Sequence, residues 1–295
     1  LLPAWRFARW CRGLGVRHVH VATPANSLII AQMACMMADL TCDTTINAKL
    51  EWWGGAMREK LGRCHAVFPV AEWMREQIAR DYPQVLARTV VARHGVDTAA
   101  WDSSGRIAAD DGPLRIVSVG RLHPAKGHDD LLRAVRMLVD RGQDVRLRIA
   151  GGGADYERLS TMIQELDIAQ YAALTGPLQE TGVRALLEAS DLFALASHAE
   201  ALGVVFMEAM AIGVPVIATR TDGAQEVIED GVTGVLVGIQ RPQEIADAIE
   251  SVLDNPLRRA EMAARGLQRV RERFDCRVGA RIVSDRVKAI LSETV

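Results

Sequence analysis

Between residues 112 and 255 the chain alternates short apolar runs with amphipathic segments, and that rhythm leaves few folds open. Runs at 116–120, 147–150, 172–175, 192–196, 215–219 and 234–237 are rich in Val, Ile, Leu or Ala and lack a polar residue at every second position. Strands written this way are buried on both faces. The stretches between them, about 127–140, 154–166, 180–189, 204–212 and 242–254, carry apolar residues at helical spacing. Strand–helix alternation predicts a parallel, doubly wound sheet, because each crossover returns the chain to the same end of the sheet.

The first hundred residues repeat the theme less completely. Strands are predicted over 17–22, 66–70 and 89–92, and helices near 25–38, 55–62 and 72–80. The apolar stretch 28–38 is far short of the roughly 20 residues a bilayer span needs, so it reads as a buried helix. Residues 99–113 hold Ser-Ser-Gly and Asp-Asp-Gly-Pro, which is linker chemistry. After Pro256 the pattern stays helical, with a break near Phe274 and Asp275. The expectation is an α/β chain of two Rossmann-like, doubly wound domains facing a cleft. Their bounds are 1–100 for a partial first domain, 101–113 for the linker and 114–273 for the second domain, with a helix over 274–295 packing back toward the first. The chain opens Leu1-Leu2-Pro3 without a Met, as a fragment would, and the first domain is expected to be incomplete.

Composition narrows the functional classes. Apolar residues make up 49% and charged residues 24%, which supports a packed core rather than disorder. Residues 1–100 carry twelve Lys/Arg against eight Asp/Glu, a bias too mild for a nucleic-acid protein. Five scattered cysteines without a C-x-x-C predict neither a disulfide framework nor a zinc site, and they fit a reducing, cytoplasmic setting.

Two constellations carry chemistry. Gly120-Arg121-Leu122-His123-Pro124-Ala125-Lys126-Gly127 follows the strand at 116–120, so Arg121 and Lys126 sit on a strand-end turn ahead of a helix. Helix-end N–H groups, a guanidinium fork and a mobile ammonium together suit a diphosphate, although two solvated surface cations would look the same in sequence. The second is Glu200-Ala201-Leu202-Gly203-Val204-Val205-Phe206-Met207-Glu208, after the strand at 192–196. Gly203 allows close backbone approach, and residues 204–207 would offer N–H groups at the start of a helix. Glu208 lies in an otherwise apolar stretch, where a carboxylate needs a partner such as the two hydroxyls of a ribose. Helix-end electrostatics alone would explain one of these acids but not both.

These segments, with Ala150-Gly151-Gly152-Gly153, 213–218 and 226–234, resemble the signatures of glycosyltransferase family 4 in order over about 112–255. That family comprises retaining GT-B enzymes and belongs to the superfamily that includes glycogen phosphorylase. The resemblance implies a metal-independent glycosyltransferase that uses a nucleotide-diphospho-sugar, needs no cofactor and acts on a saccharide or lipid-linked acceptor. It implies roles in polysaccharide, exopolysaccharide or glycolipid synthesis. Arg121 and Lys126 would hold the donor diphosphate, Glu200 the donor sugar and Glu208 the ribose, with backbone groups of Gly203, Val204, Val205 and Phe206 lining the site. It also implies front-face attack, with the departing phosphate helping to deprotonate the acceptor; Glu200 as a covalent nucleophile is the lesser alternative. The sequence contains no Asp-x-Asp to clamp a metal.

The first domain resembles the family's acceptor side less closely. A Thr-x-His-Ala motif is expected there, whereas this chain reads Thr45-Ile46-Asn47-Ala48, so Asn47 stands where a histidine is expected. Asparagine can hydrogen-bond a sugar hydroxyl but cannot titrate. His94-Gly95-Val96-Asp97 resembles an interdomain segment in which His94 faces the substrate or serves as a hydrogen-bonded hinge. The basic, aromatic start (Trp5, Arg6, Phe7, Arg9, Trp10, Arg12) reads either as a membrane-surface helix at the inner face or as a core-packing helix with a solvated basic side. Rival functions are a catalytically impaired nucleotide-sugar-binding protein, an epimerase on the same double-Rossmann plan, and a dehydrogenase. The last lacks any G-x-G-x-x-G after a strand.

Overall fold

The structure is a computed structural model that describes residues 1–101 and 112–293. Most of the expected linker therefore lies outside the described residues. Two compact units emerge, Leu1–His94 with the chain from Cys276 onward, and Gly95–Asp275.

In the first unit the order is α1 (Leu2–Gly13), β1 (His18–Val21), α2 (Asn26–Ala38), β2 (Thr41–Ile46), α3 (Met57–Gly62), β3 (Ala66–Pro69) and α4 (Glu72–Asp81). The three strands form a parallel sheet in the order β1-β2-β3. Its middle strand, β2, is buried at every position although it reads Thr-Cys-Asp-Thr-Thr-Ile. Sequence periodicity did not expose it, because cross-strand partners rather than apolar side chains hold it. Expected strand 89–92 is instead an isolated bridge from Thr89 to Val67, after a 3-10 turn at Pro83–Arg88. Backbone bonds from Val90 to Val67 and from Ala92 to Pro69 tie it to β3, too few to build a strand.

Helix α2 corrects the reading of a fully buried helix. Leu28, Ala31, Ala34 and Cys35 face inward, whereas Ile30, Met33, Met36 and Met37 are exposed. Its partner α1 buries Ala4, Ala8 and Cys11 and leaves both Trp5 and Trp10 at least half exposed. Small residues let the two helix backbones meet, with Ala4, Ala8 and Ala34 in one cluster. In the same unit, the last helix packs Ile290, with Ile282 and Val283, on Ala66 and Phe68 of β3.

The second unit runs β4 (Leu114–Val119), α5 (His128–Asp140), β5 (Val145–Ala150), α6 (Tyr156–Glu165), β6 (Ala172–Gly176), α7 (Glu180–Glu188), β7 (Leu192–Leu195), α8 (Val204–Ala211), β8 (Val216–Thr219), α9 (Asp222–Val227), β9 (Val235–Val237), α10 (Pro242–Leu253) and α11 (Pro256–Arg273). Helix α12 (Cys276–Glu293) closes the first unit. The expected strands and helices of this half all form, with ends shifted by a residue or two; α9 is additional. All strands are parallel, in the order β6-β5-β4-β7-β8-β9. Every residue of β7 and β8 is buried, which accounts for their unbroken apolar runs.

At the opposite edge from the strand ends, Arg115 grips Asp191 with Nε at 2.9 Å and a terminal nitrogen at 2.8 Å, while the Arg115 backbone N–H donates to the same carboxylate at 3.0 Å. Burial alone would raise the Asp191 pKa, but these donors win and hold it below the usual carboxylate range. The folded-state pKa is thus depressed, so the contribution is present above the unfolded value and is lost as pH falls through the folded value. Asp191→Ala should destabilise the unit by about 2–3 kcal/mol at pH 7, discounted for the part-exposed Arg115. Urea unfolding should show the gap from the unaltered chain closing in acid.

Candidate functional site

A sheet in this strand order changes winding direction between β4 and β7, and at such a switch point neighbouring loops diverge and leave a crevice beyond the carboxyl ends of the strands. The two loops bordering it are 120–127, leaving β4, and 196–203, leaving β7. These are the segments that carry the candidate cations and acids. Their backbones lie close together: the His198 N–H donates to the Ala125 carbonyl at 2.8 Å. Gly127 makes the approach possible. It has φ +60°, and a Cβ there would stand 2.0 Å from the Ala196 carbonyl oxygen.

Across this seam Lys126 forms an ion pair with Glu200, and the Ser197 hydroxyl donates to the same carboxylate oxygen at 2.9 Å. The side chains are 19% and 9% exposed, so the pair is shielded from water but reachable. Asp130, buried near the start of α5, meets His198 Nε2 at 2.8 Å and adds a second side-chain tie between the loops. Beneath them His128 is buried with both ring nitrogens unpartnered. Burial, with the charge of Lys126 adding, pushes its pKa down to about 4, so it stays neutral.

Arg121 is exposed and makes no ion pair or side-chain hydrogen bond among the described residues. It borders an open pocket of about 230 Å3 whose other walls include Gly151, Gly152, Pro177, Leu178 and Val183. Neither Glu200 nor Glu208 lines that pocket, so Arg121 is not brought against the acids as Lys126 is.

Gly203, with φ +75°, caps α8, and a Cβ there would stand 2.4 Å from the Phe206 ring. Val204 and Val205 therefore open the helix with their N–H groups ahead of its first bond, which the Phe206 N–H makes to the Gly203 carbonyl at 3.0 Å. The Phe206 ring is buried edge-on against Phe193 at 5.9 Å. The Phe206 side chain thus packs into the core beneath the start of α8.

Glu208, in the next turns of α8, is half-buried, and its carboxylate makes no hydrogen bond or ion pair among the described residues. Burial, and then the charge of Glu180 at the start of α7, pushes its pKa up to about 7. Of the candidate acids, one is matched by a cation and one is held without a partner.

Asn47 and His94 lie in the first unit. The Asn47 Oδ1, just past the end of β2, is buried without a hydrogen-bond partner. His94 keeps an open surface, yet surrounding protein lowers its pKa, and His20 lowers it further. Residues the sequence reading passed over are Ser197, the His198–Asp130 pair and a His18–Asp43–His20 cluster. The available signal was His18-x-His20 on one strand, which puts both imidazoles on one face.

The family model for glycosyl transferases group 1 matches residues 100–269. A glycogen synthase of Mycobacterium tuberculosis is 32% identical over 202 residues, covering 68% of this chain and 49% of that protein. A GDP-mannose-dependent alpha-(1-6)-phosphatidylinositol monomannoside mannosyltransferase of Mycolicibacterium smegmatis is 36% identical over 168 residues, covering 55% of this chain and 44% of that protein. The chain thus spans about half the length of the curated relatives it matches. Among solved structures, a glycosyltransferase from Rickettsia africae superposes with a TM-score of 0.85 at 21% identity, covering 99% of this chain and 81% of its own. Anabaena HepE in complex with UDP gives 0.84 at 19% identity, covering 97% and 82%. At those identities the likeness shows the fold: two parallel-sheet α/β domains of the GT-B type.

A carboxylate whose folded pKa lies above its unfolded value penalises the fold once ionised. The penalty is absent below the unfolded value and complete above about pH 7 for Glu208. Glu208→Gln should therefore stabilise the empty protein at pH 8 by on the order of 2 kcal/mol, a few degrees in Tm, and leave it unchanged at pH 4. Thermal unfolding at the two pH values measures this.

Proposed function

The chain belongs to the glycosyl transferases of group 1, and from that membership we propose that it moves a sugar from a nucleotide-diphospho-sugar to a hydroxyl acceptor, with retention at the anomeric carbon and without a metal. The observation that carries this reading is the meeting of Lys126 with Glu200 at the switch point, in a unit that also holds an unpaired Arg121 and a Glu208 carboxylate without a partner. Departure of a nucleoside diphosphate builds negative charge on phosphate oxygens, and fixed donors aimed there lower the barrier. Lys126 and Arg121 supply cations, and the Val204 and Val205 N–H groups supply dipoles.

In the empty protein Glu200 neutralises Lys126. A diphosphate competes for that ammonium, and Glu200, still held by Ser197, turns to the hydroxyls of the donor sugar. Glu208 takes the two ribose hydroxyls, which give its ionised form the donors it lacks. The slot walled by Gly151, Gly152, Pro177, Leu178 and Val183 next to Arg121 accommodates a flat base. Glu200 keeps its Ser197 hydrogen bond in this arrangement and contacts sugar hydroxyls, so the transfer proceeds by same-face attack rather than through Glu200 as a covalent nucleophile. UDP is the first nucleotide to test, because the Anabaena HepE structure contains it.

Calorimetry with UDP, GDP and ADP and a donor-turnover assay on the intact protein test the assignment. Lys126→Ala should weaken nucleoside diphosphate binding at least tenfold and abolish turnover, and Glu208→Ala should do the same to turnover. Unchanged binding in both variants removes the site assignment. Because diol binding favours ionised Glu208, nucleotide affinity should rise with pH through about 7 in the unaltered chain and not in Glu208→Gln. Binding without transfer to any acceptor would leave the alternative, a catalytically impaired nucleotide-sugar-binding protein.

We also propose that the enzyme works in the cytoplasm at the inner membrane face, making polysaccharide or glycolipid. No helix among the described residues is long and apolar enough to cross a membrane. Helix α1 instead presents exposed Trp5 and Trp10 beside Arg6, Arg9 and Arg12, with no acid in its length. Tryptophan with arginine suits the boundary of an anionic bilayer. Co-sedimentation should show binding to vesicles with 30% phosphatidylglycerol, little binding to phosphatidylcholine alone, and loss in Trp5→Ser/Trp10→Ser. Equal recovery with both vesicle types would contradict the contact.

A further inference from the structure

Glycines at 127, 151 and 153 are forced by the backbone packed around the loop that carries Arg121 and Lys126. A Cβ at Gly127 would stand 2.0 Å from the Ala196 carbonyl oxygen, one at Gly151 1.8 Å from that of Gly120, and one at Gly153 2.2 Å from that of Leu122. Gly120, just past the end of β4, is different. Its φ is not positive, and a Cβ there would meet nothing nearer than 3.8 Å. Alanine fits this position in the empty protein, so the fold alone does not account for the glycine.

The space over Gly120 is bordered by His128 Nε2 and by Lys126 Cδ, each 3.8 Å from where a Cβ would stand. His128 is 2% exposed, and neither of its ring nitrogens has a hydrogen-bond partner. Buried polar atoms are nearly always paired, and an orphaned one costs stability. A residue that only filled space at the start of α5 would be apolar, as the fully buried Leu131, Leu132 and Val135 of the same helix are. Two features that the empty fold does not require therefore meet: a missing side chain at 120 and an imidazole without a partner at 128.

We propose that His128 is a phosphate-binding residue of the donor site, its Nε2–H donating to a diphosphate oxygen lodged over Gly120. This rests on the transferase reading above and adds a donor to it. Gly120 also lines the pocket assigned there to the base, so a phosphate chain running from that pocket to Lys126 passes over it. An oxygen about an ångström nearer the ring than the Cβ position is at hydrogen-bond distance. Burial keeps the imidazole neutral, with a single N–H, and phosphate oxygens only accept, so in the complex that proton sits on Nε2. In the empty protein Nε2 is closed to solvent. Of the walls around it the Lys126 stem is the flexible one, extended toward Glu200. When the ammonium turns from Glu200 to the diphosphate, the stem moves with it and uncovers the ring nitrogen. Release of Lys126 and engagement of His128 are thus one event.

Calorimetry on the full chain with UDP, GDP and ADP tests this, together with thermal unfolding of the empty protein. His128→Leu removes the orphaned nitrogens, so Tm should stay the same or rise, while nucleoside diphosphate binding weakens about tenfold. Gly120→Ala should unfold within about 2 °C of the unaltered chain and bind at least as weakly, because its methyl group takes the place of the phosphate oxygen. Both changes act on one contact, so the double variant should lose little more than the larger single loss. Losses that simply add overturn the inference. So does binding within twofold of the unaltered chain in both single variants while Lys126→Ala still loses tenfold, a result that leaves the donor site standing without His128. If His128→Leu fails to fold, Gly120→Ala decides: undiminished binding overturns the inference, and weakened binding at unchanged Tm supports it. An unaltered chain that binds none of the three nucleotides instead defeats the transferase reading, and the inference falls with it.

Discussion

The ion pair between Lys126 and Glu200 ties the second unit's chemistry to its topology. Two charges with little exposure gain from each other only where geometry is good, and removing one leaves the other stranded at a cost of several kcal/mol. Here geometry comes from the sheet. Strands β4 and β7 are neighbours on either side of the winding reversal, so the loops they release begin together and diverge. The His198–Ala125 backbone bond and the cradle at Gly127 hold them at contact distance, and Ser197 and Asp130 finish the polar packing. The cation loop cannot move without disturbing the acid loop. That is how a site of this kind stays organised while empty.

The two acids illustrate how local surroundings divide the work of identical groups. Glu200 has a cation and a hydroxyl, so it is engaged. Glu208, eight residues on, has burial and the like charge of Glu180, and its proton is loosely held near neutrality. A carboxylate left without donors inside a packed helix is a standing cost. The ribose diol is a ligand whose binding would convert that cost into affinity. His128 shows the opposite outcome for a base: burial and the charge of Lys126 keep it neutral under the loop.

The second unit was largely legible from its sequence because a doubly wound parallel sheet writes its strands as apolar runs. Its cations and acids fall where strands end, and their spacing carried the family resemblance. The first unit was less legible, and β2 shows why. Three threonines, a cysteine and an aspartate give no strand period, and what makes Asp43 tolerable in a central strand is a pair of histidines more than twenty residues away. Linear patterns do not record such pairings. The segment at Thr89 erred the other way: its composition suits a strand, but only a short tether to β3 forms. Helix α2 looked buried because nearly every residue is apolar, yet burial depends on what packs against each face, and only one face is covered.

The substitution at Asn47 gains meaning beside the His18–Asp43–His20 cluster. Asparagine at the end of β2 removes a titratable group from the strand end where one was expected, and its buried Oδ1 is left without a donor. One strand over, His20 is backed by a carboxylate that is buried, ionised and shared with a second imidazole. Asp43 thus has the donors that the Asn47 Oδ1 lacks, which is what makes a buried carboxylate tolerable in a central strand.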